Sequence, residues 1–245
     1  TRNDPDKLKS SGGPTTQDNT GVEYYCTIFA ANESSVQEGL MWVGSDDGLI
    51  HITRDGGANW ENITPPQMPK WLMINSIEPS PFDPAVCYVA GTLYKTGDFK
   101  PYLYKTSDYG KTWIKITNGI EKEHFTRVLR ADPVRKGLLY AGTETGMYIS
   151  FDDGASWNKF QLNLPIVPIT DLTIKEHSLI VATQGRSIWI LDDLTVLHQL
   201  NSRTENEAVT LFKPKDSYRT QGRSSKPSLT EGTNLPNGVI VYFNL

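Results

Sequence analysis

Three octets in this chain share one pattern, Ser/Thr-x-Asp-x-Gly-x-x-Trp. They are Thr53-Arg54-Asp55-Gly56-Gly57-Ala58-Asn59-Trp60, Thr106-Ser107-Asp108-Tyr109-Gly110-Lys111-Thr112-Trp113 and Ser150-Phe151-Asp152-Asp153-Gly154-Ala155-Ser156-Trp157. The aspartates Asp55, Asp108 and Asp152 lie 53 and then 44 residues apart. A motif recurring at such a distance marks one supersecondary unit copied along the chain.

Each fixed position has a physical reason that needs no ligand. The Asp and Ser/Thr side chains can accept hydrogen bonds from N–H groups of their own turn, where a strand ladder cannot supply partners. Gly57, Gly110 and Gly154 can take a positive φ at low steric cost. The Trp can bury a large ring while its indole N–H finds a carbonyl. Thr53, Asp55, Gly57 and Trp60, with Thr106, Asp108, Gly110 and Trp113 and with Ser150, Asp152, Gly154 and Trp157, are therefore expected to be structural.

Around the octets, four repeats can be aligned. Each opens on an alternating strand, at 24–29, 74–78, 127–131 and 170–174. A second apolar strand ends in small residues at 40–45, 87–92, 139–143 and 179–183, with Gly44, Gly91 and Gly142 in register. A third strand leads into each octet (49–53, 102–106, 147–150) and a fourth follows its Trp (60–63, 113–116, 157–160). The fourth repeat reaches Ile188-Trp189-Ile190-Leu191 without an octet, as a terminal repeat can.

Units of four antiparallel strands and about 40–50 residues are propeller blades. The expected fold is all-β: a partial β-propeller of about four blades at 22–66, 72–119, 126–164 and 167–200, plus a strand at 208–212. Residues 1–21 are expected to be an extended arm, 214–238 a linker, and 239–245 the start of a following β-domain. Thr1 stands where an initiator Met would, so a processed or excised piece of something longer is expected.

Charge and composition exclude several functions. The net charge of −4 comes from interspersed residues, with no basic tract to hold nucleic acid. No apolar run approaches the ~18 residues of a membrane span. Cys26 and Cys87 stand in strand-like surroundings and are expected to be thiols rather than a disulfide. His51, His124, His177 and His198 have no ligand spacing, so neither a metal nor any other cofactor is expected.

The octets resemble Asp-boxes, also called BNR repeats, of sialidases, xyloglucanase-type glycoside hydrolases, sortilin/VPS10 receptors and photosystem assembly propellers. Together with 42–51 and Thr183-Gln184-Gly185-Arg186-Ser187-Ile188-Trp189-Ile190, they make residues 21–213 similar to secreted sortilin-like proteins of Bacteroidetes labelled glycosyl hydrolases. The resemblance implies a secreted, periplasmic or cell-surface protein whose Asp-boxes lie away from the working face.

The working face is then expected on the turns between second and third strands: 45–48, 93–101, 144–146 and 184–186. The crossovers at Lys70-Trp71, 121–125 and 166–168 join them. Trp71, Tyr94, Phe99, Tyr102 and Arg186 are the expected ligand contacts. Glycoside hydrolysis would need two carboxylates at a defined separation. Asp46, Asp47 and Glu144 are the catalytic candidates, with Glu78, Asp132 and Asp171 also nearby. Arg127, Arg130 and Arg186 could approach the channel, but the Arg-Ile-Pro signature of sialidases is missing. Three functions follow: a non-catalytic propeller binding polysaccharide or protein, a glycoside hydrolase of xyloglucanase type, or a structural propeller. The remainder of the ring is expected from a preceding segment or another chain, because an open ring exposes sheet edges.

Overall fold

The polypeptide runs back and forth in short antiparallel strands. In the computed structural model, which describes residues 26–201, 204, 207–217 and 238–244, β1 (Ile28–Glu33), β2 (Met41–Ser45), β3 (Ile50–Thr53) and β4 (Glu61–Asn62) pair in chain order. The same order recurs in β5 (Met73–Pro79), β6 (Cys87–Leu93), β7 (Asp98–Thr106) and β8 (Ile114–Lys115). It recurs again in β9 (Thr126–Ala131), β10 (Leu139–Thr143), β11 (Gly146–Ser150) and β12 (Asn158–Lys159). A fourth sheet has three strands, β13 (Ile169–Lys175), β14 (Ser178–Thr183) and β15 (Ile188–Leu191). The first strands lie side by side, β1 against β5 and β5 against β9. This is a partial β-propeller.

The chain divides into two compact bodies. One holds the described residues up to Ile174 together with Ile180–Ile190; the other holds Lys175–Leu179 and the described residues from Leu191. The second body contains a short helix, α1 (Thr195–Gln199), and an antiparallel pair of strands, β16 (Thr210–Leu211) and β17 (Phe243–Asn244). The segment expected to open a new β-domain therefore pairs back onto the strand expected at 208–212.

Strand alternation fills the spaces between blades. Successive side chains of a strand point to opposite faces. Cys87 and Val89 of β6 accordingly join a cluster with Trp42, Ile52, Leu72, Ile74 and Trp113. Tyr88 and Ala90 of the same strand join Leu103, Leu129, Tyr148 and Trp157 on the other side. Burying each such large apolar side chain contributes roughly 1.5–3 kcal/mol. Two of the three glycines expected in register let the next blade approach: a Cβ at Gly44 would run into Ile74, and one at Gly142 would lie 2.6 Å from Ile169 Cγ2. Ala90 holds that position in the second blade, and Gly91 instead faces Leu72.

The octets build the hairpins between third and fourth strands. In each, the first hydroxyl donates to the Asp (Thr53 and Thr106 Oγ1, Ser150 Oγ, all 2.8 Å) and accepts from the Gly N–H at 2.9–3.0 Å. The Asp then accepts from the backbone N–H of the residue before the Trp, and from that residue's side chain. Those residues are Asn59, Thr112 and Ser156, a polar position outside the pattern recognised from sequence. The fourth octet position also takes a positive φ: Gly56, Tyr109 and Asp153 at 70°, 59° and 62°. Its N–H donates to the turn between first and second strands, at Gly39, Ala85 and Gly137.

The second and third octets lock onto the blade before them. Trp113 Nε1 donates to Ile63 O at 2.9 Å, and Trp157 Nε1 to Ile116 O at 2.8 Å. The side chains of these two accepting isoleucines lie on the octet glycines, where a Cβ at Gly110 or Gly154 would meet Ile63 Cδ1 at 2.5 Å or Ile116 Cδ1 at 2.7 Å. Gln67 Nε2 adds a bond to Trp113 O, and Asn118 Nδ2 one to Ala155 O.

Several strand limits differ from expectation. Among the described residues the first strand begins at Ile28, with Asp46 Oδ1 accepting from the N–H groups of Cys26 (2.7 Å) and Thr27 (3.0 Å) just before it. Residues 24 and 25 of that expected strand lie outside the described residues. β7 begins at Asp98, so much of the expected loop at 93–101 is a longer hairpin whose Asp98 pairs with Leu93. The fourth strands are only two residues long. The arm at 1–21 and most of the linker at 214–238 lie outside the described residues. Cys26 and Cys87 are free thiols, the first half-buried and the second buried.

Candidate functional site

The turns between second and third strands lie at the end of the blades opposite the octets, as the up-and-down course of the chain requires. Three of the four turns are tied to the entry of a first strand. Asp46 N donates to Thr27 O at 3.1 Å, Glu144 N to Phe125 O at 3.1 Å and Gln184 N to Pro168 O at 2.9 Å. Gly48 packs on the crossover into the second blade, where an added Cβ would lie 2.9 Å from both Leu72 N and Leu72 O. The face is therefore floored by turns bonded to the strand entries.

On that floor the second and third blades bring five side chains together. Tyr94 stands in the short 3-10 turn Tyr94–Thr96, which ends on Gly97 at φ 82°. Its ring stacks on buried Phe125 with centroids 5.2 Å apart. Phe99 tilts against the same ring at 6.1 Å and leaves 49% of its surface exposed. The Arg127 guanidinium lies 5.7 Å from the Tyr94 centroid and 5.2 Å from that of Phe125. Its Nε and one terminal nitrogen donate to Glu144 Oε2 at 2.7 and 2.6 Å. Such a charge over aromatic faces is held in place by both contacts.

The expected ligand residues separate on this map. Tyr94 and Phe99 belong to the cluster. Tyr102 is buried; its hydroxyl donates to Asp98 at 2.7 Å and Lys115 Nζ covers its ring at 4.6 Å. Trp71 is half-buried at φ 66° beside the first blade's turn, its backbone N near Gly48. Arg186 is exposed, and its guanidinium donates to Gly185 O at 3.4 Å. Phe125 and Arg127 were not singled out as contacts. Their signal was positional: both sit at the entry of a first strand, where the crossover meets the turn.

The carboxylates named as catalytic candidates all have internal partners. Asp46 accepts from Cys26 N, Thr27 N and Thr27 Oγ1. Asp47 is fully buried and accepts from Ser45 Oγ. Glu144 is paired with Arg127. Asp132 is buried and accepts from Val134 N, Arg135 N and Tyr140 Oη. Among the described residues, no three His, Cys, Asp or Glu side chains converge as a metal site.

Along the first strands a polar chain crosses three blades. Arg130 on β9 donates to Asp171 Oδ1 at 2.7 Å, Ser76 Oγ at 2.8 Å and Leu172 O at 2.8 Å, and lies 3.6 Å from Glu78 Oε2. Burial pushes the Glu78 carboxyl up to about 7, although Arg130 and the Ala131 N–H pull the other way.

No protein-family model matches the chain. Over 111 residues it is 30% identical to the oligoxyloglucan-reducing end-specific xyloglucanase of Emericella nidulans, covering 43% of this chain and 13% of that enzyme. Among solved structures it is similar to YCF48 bound to a D1 peptide, with TM-score 0.51 and 21% identity over 66% of this chain and 51% of that one. The GH74 enzyme of Niastella koreensis gives TM-score 0.51 and 14% identity over 70% and 24% of the two chains. The COPII outer coat vertex gives 0.52 and 15% over 65% and 45%. The chain thus spans about half, or less, of each relative's length. No described helix is long and apolar enough to cross a membrane. What these relatives have in common with the chain is architecture: it is a β-propeller protein.

Proposed function

We propose that the chain is the blade region of a sortilin-like Asp-box propeller, secreted or at the cell surface, that binds a polysaccharide or protein ligand opposite its octets. The observation that carries this is the Tyr94–Phe99–Phe125–Arg127–Glu144 cluster. An exposed aromatic edge stands beside a fixed charge pair on bonded turns, so little ordering is needed on binding. The internal engagement of Asp46, Asp47 and Glu144 favours binding over catalysis. The common bonding scheme of the three octets supports assigning them as Asp-boxes. The blade limits 22–66, 72–119, 126–164 and 167–200 are proposed with it.

Calorimetric titration of the full chain with xyloglucan oligosaccharides and with extended peptides tests this. Phe99→Ala is expected to weaken the retained ligand about tenfold, the scale of one aromatic contact, with an unchanged melting temperature. Unaltered affinity would move the site elsewhere.

A glycoside hydrolase of xyloglucanase type is the second possibility, favoured by the 30% identity to a xyloglucanase. Release of reducing sugar by the chain, abolished in Glu144→Ala or Asp46→Ala, would replace the binding function with it.

A further inference from the structure

Taking the Tyr94–Phe99–Phe125–Arg127–Glu144 cluster as the binding site proposed above, we infer that its ligand is a neutral 1,4-linked glycan, held by a vicinal pair of hydroxyls on one sugar ring. The first observation is what the ion pair leaves unused. Arg127 Nε donates to Glu144 Oε2, and Nη2 lies 2.6 Å from the same oxygen. Arg127 Nη1 and Glu144 Oε1 have no partner among the described residues. Neither is one of the buried side-chain atoms that lack a partner, so both reach solvent. Side by side they make a two-point site, an N–H group that donates and a carboxylate oxygen that accepts. Two adjacent sugar hydroxyls satisfy both, one accepting from Arg127 while the other donates to Glu144. An acidic sugar would set its own carboxylate against Glu144 Oε1, so the fit is to a neutral one.

Phe99 supplies the apolar half. Its exposed ring tilts on buried Phe125, the same ring that the Arg127 guanidinium covers at 5.2 Å. Tyr94 stacks on Phe125 as well, so one buried ring joins the aromatic edge to the ion pair. This combination matches a pyranose, whose axial C–H groups make an apolar face and whose hydroxyls project from its rim. A peptide that binds by adding a strand needs a free sheet edge. Here the backbone of the neighbouring turn is spent inward: Glu144 N donates to Phe125 O at 3.1 Å, and Met147 N to Gln161 Oε1 at 3.3 Å. Recognition is left to the side chains.

Linkage decides which glycans present such a pair. A 1,4-linked hexopyranose chain keeps O2 and O3 free on its internal residues. A 1,3-linkage consumes O3 and leaves no adjacent free pair inside the chain. A site that bonds two hydroxyls discriminates against a ring that lacks one of them, because its own polar groups are then left unpaired.

Calorimetric titration of the full chain with cellohexaose, laminarihexaose and an extended peptide is the test. The two hexasaccharides are built of the same glucose rings, 1,4-linked in the first and 1,3-linked in the second. Cellohexaose is expected to bind about tenfold more tightly or better. Glu144→Gln should weaken it by about tenfold, because the amide turns its oxygen to Arg127 and its N–H group outward, where an acceptor is needed. Phe99→Ala should weaken it by about as much, and both variants should melt within about 4 °C of the parent. Equal affinity for the two hexasaccharides, or a Glu144→Gln variant that binds cellohexaose unchanged, would overturn the hydroxyl pairing while leaving the cluster as a binding site. Binding of the peptide alone, lost in Phe99→Ala, would keep the site and replace its ligand. Sugar binding indifferent to Phe99→Ala, or no binding of any of the three, would remove the cluster as the site and the glycan with it.

Discussion

Replacing Glu78 by Gln should make the protein more stable, and increasingly so as pH rises. The carboxyl's ordinary value is 4.5, and in the fold burial raises it to about 7. A raised value means the folded state holds this proton more tightly than the unfolded state. The contribution is complete below 4.5, declines across the interval, and is lost once pH passes about 7. Moving the equilibrium that far corresponds to on the order of 3 kcal/mol. The groups facing the carboxyl are Arg130 and the Ala131 N–H from β9, Asp171 from β13 and Cys87 from β6. Gln retains an acceptor for Ala131 N, which donates to Glu78 Oε1 at 3.2 Å, and carries no charge to desolvate. Urea unfolding of both proteins at pH 5 and pH 8 is the assay. The two should have similar stability at pH 5, with the Gln variant ahead by about 2–3 kcal/mol at pH 8. A difference independent of pH would refute the reasoning. A Gln variant that falls behind at pH 8 would show that Arg130 holds the carboxylate charged.

Trp113→Ala should cost about 3–5 kcal/mol in equilibrium unfolding and Trp113→Phe about 1–2, since Phe keeps most of the ring but leaves Ile63 O without its donor. A costless Trp113→Phe would mean that the indole bond contributes nothing, and equal costs that the ring adds nothing beyond that bond. Asp55 is held down to about 2, first by the Asn59 side chain and then by the Asn59 N–H and Thr53. A depressed value gives stability that is present above 3.8 and lost as pH falls through about 2. Asp55→Ala should therefore be less stable than the parent at pH 6, with the gap closing by pH 2 in thermal melts.

The repeat was legible because its residues act locally. Asp, Gly and the hydroxyl bond within eight positions, so spacing alone located three hairpins, and strand alternation located most of the sheets around them. Other boundaries carry no such local mark. Just before β1, Cys26 N donates to Asp46, twenty residues beyond it. In the extension of β7, Asp98 pairs across the hairpin with Leu93 and accepts from Tyr102 Oη on its own strand. The site was legible at the level of turns: Tyr94 and Phe99 do meet. That Tyr102 turns inward and that Phe125 and Arg127 complete the cluster follow from packing between blades, to which strand periodicity is blind.

The positive φ at the fourth octet position has a consequence for how the blades join. That residue is swung away from its own hairpin toward the blade before it. Tyr109 meets Arg54, whose guanidinium lies 4.9 Å from its ring centroid, and its hydroxyl donates to Gln37 at 3.5 Å. Asp153 accepts from Tyr88 Oη and Lys105 Nζ. The hairpins are interchangeable parts, but these contacts are not. An aspartate opposite Gln37 would leave Tyr88 and Lys105 without their acceptor, and a tyrosine in its place would crowd them. One variable letter inside a repeated motif thus gives each of these two blade junctions its own chemistry.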